Sequence, residues 1–310
     1  MAEPSAGLHH ITAICGDPAE NVAFYTRVLG MRFIKKTVNF DDPGTYHLYY
    51  GDAIGSPGTA LTFFPFAGAP AGRHGAGAPV EIGLAVPPDA LAFWAERLAE
   101  HGVAFERATR FDEQMLTFHD PHGIALQLVG TASAADIEGR AAAAIPAEHA
   151  VRGFHGVGVW THALDGTAMV LEEGLGFRRI ATADDRVRFQ AGDGRAPGAF
   201  VDVRVDPALA PERQGVGSIH HIAFRAADDD HEMALRDVLT THGLNATPQI
   251  DRQYFHSVYF REPGGSLFEI ATDGPGFTVD ETAEALGTHL KLPEQYEARR
   301  AEIEAALPPL

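Results

Sequence analysis

Two histidine pairs carry the residue types most able to do chemistry in this chain. One is His9-His10, inside Leu8-His9-His10-Ile11-Thr12-Ala13-Ile14; the other is His220-His221, inside Ile219-His220-His221-Ile222-Ala223-Phe224-Arg225. In each frame the second histidine stands seven residues before an aspartate, Asp17 or Asp228. With 16 histidines in 310 residues, chance supplies roughly 0.8 adjacent pairs, so two pairs in one frame mark an internal repeat. A third member is Glu269, which interrupts the apolar run Leu267-Phe268-Glu269-Ile270-Ala271 after the turn residues Gly264-Gly265. A carboxylate placed there needs a partner. Two neutral imidazoles and one carboxylate on neighbouring strands can occupy one face of an octahedron and leave the other face open, an arrangement suited to non-haem Fe(II).

The elements that must position these groups follow from period and punctuation. Strand alternation puts His10, Thr12 and Ile14 on one face, and His221, Ala223 and Arg225 on one face. After His10 the run Asp17-Pro18-Ala19-Glu20 supplies an N-cap, a first-turn proline and an acid, and Val22, Phe24, Tyr25, Val28 and Leu29 supply a helical apolar face. Strands are predicted at residues 31–39, 46–50 and 59–64, separated by Asp41-Asp42-Pro43-Gly44 and Gly55-Ser56-Pro57-Gly58. This order, strand, helix, three strands, recurs from Val80, from His155 and from Gly217, which makes four units and two domains. The Ala-rich segment 131–152 reads as a partly helical connection, and the charged stretch after Pro293 as a helical tail on the surface or on a partner.

Composition narrows the classes of partner. Acidic residues outnumber basic ones 42 to 24, a formal charge of -18, which repels phosphate backbones and anionic lipid; neither nucleic acid nor membrane is expected to bind. No apolar run reaches the roughly 18 residues of a membrane span, and Met-Ala-Glu-Pro-Ser-Ala does not read as a signal peptide, so a cytoplasmic protein is expected. The one cysteine, Cys15, lies on an apolar strand and reads as core. His101, His119, His122 and His242 fall at helix ends or turns and read as solvated, and the shared strand pattern that places His47 and His256 keeps both out of the predicted site.

Lys36-Thr37-Val38-Asn39-Phe40-Asp41-Asp42-Pro43 with Tyr46-His47-Leu48, both His-His-Ile frames, and Arg252 with Tyr259 ahead of Glu269 resemble the hydroquinone ring-cleaving dioxygenases of the vicinal oxygen chelate superfamily, which also holds glyoxalases and bleomycin-resistance proteins. The resemblance covers nearly the whole chain. It implies an α+β fold of four βαβββ modules paired into two vicinal-oxygen-chelate domains with curved mixed sheets, at 1–140 and 150–280, followed by the tail 281–310. It pairs module one with module four, and two with three. By the same resemblance His10, His221 and Glu269 hold Fe(II), with Mn(II) as the alternative metal, while His9, His220, Thr12, Arg252 and Tyr259 surround it. His9 and His220 alternate away from the ligands in a regular strand, so a role in the site requires a bend. The corresponding places of the middle modules are Glu81, His155 and Gln127, where no metal is expected. The implied reaction takes a small aromatic diol and O2: the metal lowers the pKa of a bound hydroxyl, Tyr259 hydrogen-bonds the bound oxygen, and Arg252 stabilises developing negative charge. A glyoxalase-like isomerase or lyase using Zn or Ni is the alternative enzyme, disfavoured because Thr62 stands where a second ligand carboxylate would be. A binding protein that sequesters an aromatic compound is the non-enzymatic alternative. Monomer and homo-oligomer are equally compatible with the sequence.

Overall fold

The computed structural model describes residues 2–142 and 144–310. Module one contains β1 (Leu8–Cys15), α1 (Pro18–Ala23), β2 (Arg32–Asn39), β3 (Asp42–Gly51) and β4 (Ala60–Pro65); module two contains β5 (Ala78–Val86), α2 (Ala90–Glu100), β6 (Phe105–Arg110), β7 (Glu113–His119) and β8 (Ala125–Gly130). Module three has β9 (Phe154–Thr161), α3 (Asp165–Met169), β10 (Arg178–Ala183), β11 (Arg186–Gln190) and β12 (Phe200–Val205). Module four has β13 (Ile219–Ala226), α4 (Asp229–Thr241), β14 (Ile250–Asp251), β15 (Phe255–Arg261) and β16 (Leu267–Pro275). The repeated aspartates cap helices: the Asp17 carboxylate accepts from the Glu20 amide, and the Asp228 carboxylate from the His231 amide.

The strands form two curved eight-stranded sheets in the orders β14-β15-β16-β13-β1-β4-β3-β2 and β10-β11-β12-β9-β5-β8-β7-β6. Both are mixed, with parallel pairs such as β1 and β4 beside antiparallel ones such as β3 and β4. Each sheet takes one module from either side of the 140/150 division, one with four and two with three, as the resemblance implies. The division by halves of the sequence is therefore not the division between sheets. The segments before modules two and four run side by side, with Arg73 and Arg213 exchanging backbone hydrogen bonds. Within 131–152, Ala132–Ala135 is a short helix and Ala147–His149 a 3-10 turn, while Ala143 lies outside the described residues. Among those residues no helix is long and apolar enough to cross a membrane.

On the sheet shared by modules one and four, Ile11, Ala13, Ile222 and Phe224 are fully buried on the helix-facing side, whereas His10, Thr12 and His221 project into the concave side. Cys15 is buried. The first hairpin is tighter than its turn residues predict: β3 starts at Asp42 rather than Tyr46, because the Asn39 side chain accepts from the Asp41 amide at 3.0 Å and closes an Asx turn one step earlier. His122 is also not solvated. Its side chain is 5% exposed and its Nε2 lies 3.2 Å from the Asp17 carbonyl, joining modules one and two.

The tail does more than cover surface. Lys35 on β2 is fully buried and its Nζ lies 2.6 Å from both Asp280 and Glu281, and Tyr254 and Gln253 donate to the same Asp280 oxygen. Beyond this ion cluster Lys291 N bonds Lys36 O, Tyr296 Oη bonds Phe40 O, and Ile303 and Leu307 of or beside α5 (Arg300–Ala306) are buried. The chain end thus straps the β2-β3 hairpin to module four. Removing one member of a buried ion pair leaves its partners uncompensated, so Lys35→Met is expected to lower unfolding free energy by about 3–5 kcal/mol. Adding Asp280→Asn and Glu281→Gln should recover most of that loss, read from urea unfolding midpoints of the single and triple variants.

Candidate metal centre and its cavity

β1 and β13 pair antiparallel down the middle of the first sheet, with Thr12 opposite His221 and His10 opposite Ala223. The ladder breaks register between Leu8 and His10 and again between Thr12 and Ala13. One extra residue is inserted on each strand at these bulges, His9 and His220, so both turn toward the concave side instead of away from it. The bend that a role in the site would require is thereby present. His9 Nδ1 lies 2.9 Å from His10 Nδ1, and His220 Nδ1 lies 2.7 Å from His221 Nδ1. If His10 and His221 donate in these pairs, their Nε2 atoms carry free lone pairs.

Those two Nε2 atoms are 3.3 Å apart and lie 3.3 and 2.9 Å from Glu269 Oε2. Glu269 sits on β16 opposite Ala223 and is fully buried. Its Oε1 accepts a short bond from the Ser257 hydroxyl. Its Oε2 has no aligned donor, although buried carboxylate oxygens are ordinarily matched. Metal–ligand bonds of about 2.1 Å put neighbouring ligands roughly 3.0–3.4 Å apart in octahedral or tetrahedral geometry, so the three separations fit one divalent cation. No other group of three such side chains meets this distance test among the described residues.

Electrostatics favour an ionised acid at this point. Burial alone would raise the Glu269 pKa, but His10 and His221 outweigh it and hold the carboxyl well below the usual range. Burial lowers the pKa of His221, partly opposed by Glu269. Burial lowers His9 well below the ordinary value, and takes His220 down to about 3, helped in each case by the adjacent histidine.

The centre opens on a cavity of about 390 Å³ whose walls include Phe40, Phe64, Phe255, Tyr259 and Leu267. Arg252 Nε donates to Tyr259 Oη at 3.3 Å, its guanidinium also lies over that ring, and its Nη1 is 3.4 Å from Asp41. Thr12 lies beneath, its Oγ1 2.8 Å from Thr62 Oγ1. The eight residues predicted from the sequence therefore converge. His47, which the strand pattern alone keeps out of the predicted site, also lines the cavity, with Nε2 2.8 Å from Thr62 Oγ1 and Nδ1 2.8 Å from Tyr49 Oη. Alternation could have flagged it, since Tyr49 pairs with Thr62 in register and His47 shares its face. His256 stays outside, bonded to Asp229.

The second sheet presents a cup of the same architecture with different contents. Glu81 receives two bonds from Arg186, at 2.6 and 2.9 Å, His155 faces Glu113 at 3.0 Å, and Arg188 grips Asp202 at 2.7 and 2.8 Å. The space enclosed among Glu81, Gln127, His155 and Asp202 is only about 10 Å³.

Comparison with known proteins adds independent findings. The model of the Glyoxalase/Bleomycin resistance protein/Dioxygenase superfamily matches residues 7–128 and 142–270. The chain is 45% identical to a Bacillus subtilis protein named "Putative ring-cleaving dioxygenase MhqO", covering all of this chain and 98% of that one. It is 34% identical to a Sphingobium indicum chlorohydroquinone/hydroquinone 1,2-dioxygenase over 98% of this chain and 96% of the other. A crystal structure of a Bacillus subtilis "putative dioxygenase" superposes with a TM-score of 0.94 at 43% identity, covering 100% of this chain and 98% of that one. Maize glyoxalase I shares the fold, with a TM-score of 0.63 at 15% identity over 86% of this chain and 92% of its own.

Outer partners of metal-bound histidines typically contribute 10–100-fold to affinity. His9→Phe and His220→Phe are each expected to weaken divalent-metal binding by about that factor, and Glu269→Gln by more, in chelator-competition titrations of the metal-free protein. Unchanged affinity in Glu269→Gln would remove the centre.

Proposed function

Because the chain belongs to the Glyoxalase/Bleomycin resistance protein/Dioxygenase superfamily, we propose that it is a metal-dependent ring-cleaving dioxygenase whose substrate is a hydroquinone or related aromatic diol. The observation that carries this reading is the His10/His221/Glu269 triangle, open on one side to an aromatic-walled cavity large enough for one substituted ring. His10, His221 and Glu269 would hold Fe(II), with Mn(II) as the alternative, and the ion would supply the electron exchange with O2 that dioxygen chemistry requires.

The protein's own groups then divide the remaining work. His9 and His220 hold the ligand rings through Nδ1 and keep Nε2 available. Ser257 fixes one Glu269 oxygen and leaves the other to face the ion. The walls of Phe40, Phe64 and Phe255 exclude water from an ionised diol and strengthen every polar contact made to it. Tyr259, whose Oη accepts from Arg252, keeps its own proton free to donate to a substrate oxygen, and burial together with Glu269 raises its pKa so that it remains protonated. Arg252 supplies the positive charge nearest that oxygen, moderated by Asp41.

Thr62 favours this reading over an isomerase. It occupies the place on β4 that Glu269 occupies on β16, and its hydroxyl is engaged by Thr12 and His47, so that side contributes no second carboxylate. With an acidic chain and a single cysteine, the same reading expects a cytoplasmic enzyme.

The test is anaerobic loading with Fe(II), followed by oxygen uptake on adding hydroquinone, catechol or the methylglyoxal-glutathione adduct separately. Stoichiometric uptake with hydroquinone, abolished in His221→Ala, is the expected result. Inertness toward both diols, with turnover of the adduct under Ni or Zn, would replace the proposal with the isomerase.

A further inference from the structure

The first sheet carries an internal pseudo-twofold relation, and it identifies a residue that the catalytic reading leaves without work. Thr12 pairs with Thr62 as Ala223 pairs with Glu269, and Tyr49 stands opposite Thr62 as Tyr259 stands opposite Glu269. Tyr49 is thus the module-one counterpart of Tyr259. Each tyrosine lies on the second strand from its own end of the sheet, β3 and β15, with the metal cluster on the central strands between them. Both line the cavity.

The hydrogen-bond chain Thr12–Thr62–His47–Tyr49 has a definite direction. Its three links are each 2.8 Å. A neutral imidazole gives one donor and one acceptor, so the orientation of all three hydroxyls is a single binary choice. Thr12 is fully buried and has Thr62 as its sole hydrogen-bond partner. One hydroxyl proton of the chain must lack a protein partner: turned one way it is that of Thr12, enclosed by protein, and turned the other way it is that of Tyr49, at the cavity wall where a ligand can accept it, which is the less costly arrangement. The chain therefore runs from the Thr12 hydroxyl to Thr62, from the Thr62 hydroxyl to His47 Nε2, and from His47 Nδ1–H to Tyr49 Oη. Tyr49 accepts inside the wall and its own O–H is left for the cavity. Tyr259 reaches the same condition by another route, because the Arg252 guanidinium can only donate to it.

We infer that Tyr49 is a specificity-determining donor, that His47 is the positioning residue that makes it one, and that Tyr49 and Tyr259 together select aromatic rings bearing oxygens at opposite ends. This rests on the diol reading above and deepens it. One ring oxygen lies at the metal and Tyr259, and the oxygen para to it meets Tyr49. A catechol carries no oxygen para to the first and so offers none at the Tyr49 end.

The experiment is anaerobic binding of hydroquinone and of phenol to the Fe(II)-loaded protein, followed by ligand absorbance, in wild type, Tyr49→Phe and His47→Phe. Phenol lacks only the second oxygen. Wild type is expected to prefer hydroquinone by about 10-fold, the size of one hydrogen bond. Tyr49→Phe should erase that preference by weakening hydroquinone alone, and His47→Phe should do likewise although its ring has no free nitrogen to offer a ligand. Equal loss for both ligands in Tyr49→Phe, or an undiminished preference, would overturn the inference. Thermal midpoints within a few degrees of wild type identify either variant as folded, and Tyr49→Phe, which removes one oxygen, decides the matter should His47→Phe not fold. Oxygen uptake by wild type judges the dioxygenase reading separately, since the binding preference is measured without turnover.

Discussion

The pairing of β1 with β13 is the contact on which the rest of the molecule depends. It joins segments more than two hundred residues apart, and only there do His10 and His221 come within one ion's reach. Closing so long a loop costs chain entropy, but the cost grows only as the logarithm of length, and the seam offsets it with fully buried apolar residues on its helix-facing side, Leu8 and Ile11 against Ile222 and Phe224. The concave side is thereby free to be polar. The two bulges use that freedom, each adding a histidine without breaking the pairing that holds the strands.

The two sheets show how one backbone plan takes opposite solutions for buried charge. In the first cup Glu269 keeps an oxygen without an aligned donor beside two imidazoles, a costly arrangement unless a cation joins it. In the second, each carboxylate is closed off by guanidinium, Glu81 by Arg186 and Asp202 by Arg188. Gly158 belongs to this filling, since a Cβ there would lie 2.4 Å from Glu81 Oε2. The second cup is a structural ion-pair core, and the division of labour between the sheets is set by side chains alone.

Much of this was legible in the sequence for identifiable reasons. Period-two alternation and Gly/Pro punctuation marked the modules, and the seven-residue spacing from each histidine pair marked a strand followed by an aspartate-capped helix. Glu269 declared itself because an acid inside an apolar strand needs a partner. The bulges were not legible, as neither is flagged by glycine or proline; only the pairing with the opposite strand creates the extra residue. His47 was hidden because an alternating strand reads the same whether its polar face meets solvent or a cavity. Lys35 was hidden more deeply: its carboxylate partners lie some 245 residues away, and local pattern holds no information about contacts at that range.

That last contact widens the set of residues that shape the cavity. Asn39, Phe40, Asp41, His47 and Tyr49 form one wall of the cavity, and all lie on or between β2 and β3. β2 is the last strand of its sheet, the position where pairing holds a strand least, since it has a neighbour on one side only. The tail supplies the missing restraint through Lys36, Phe40 and the buried Lys35 cluster, and the Tyr254 and Gln253 side chains in that cluster immediately follow Arg252. The wall bearing Tyr49 and the wall bearing Arg252 are thus held to the same few acidic residues, Asp280 and Glu281. Cavity width is therefore a property of the C-terminal strap as well as of the sheet, which explains why so charged a segment is folded back onto module one instead of ending at β16.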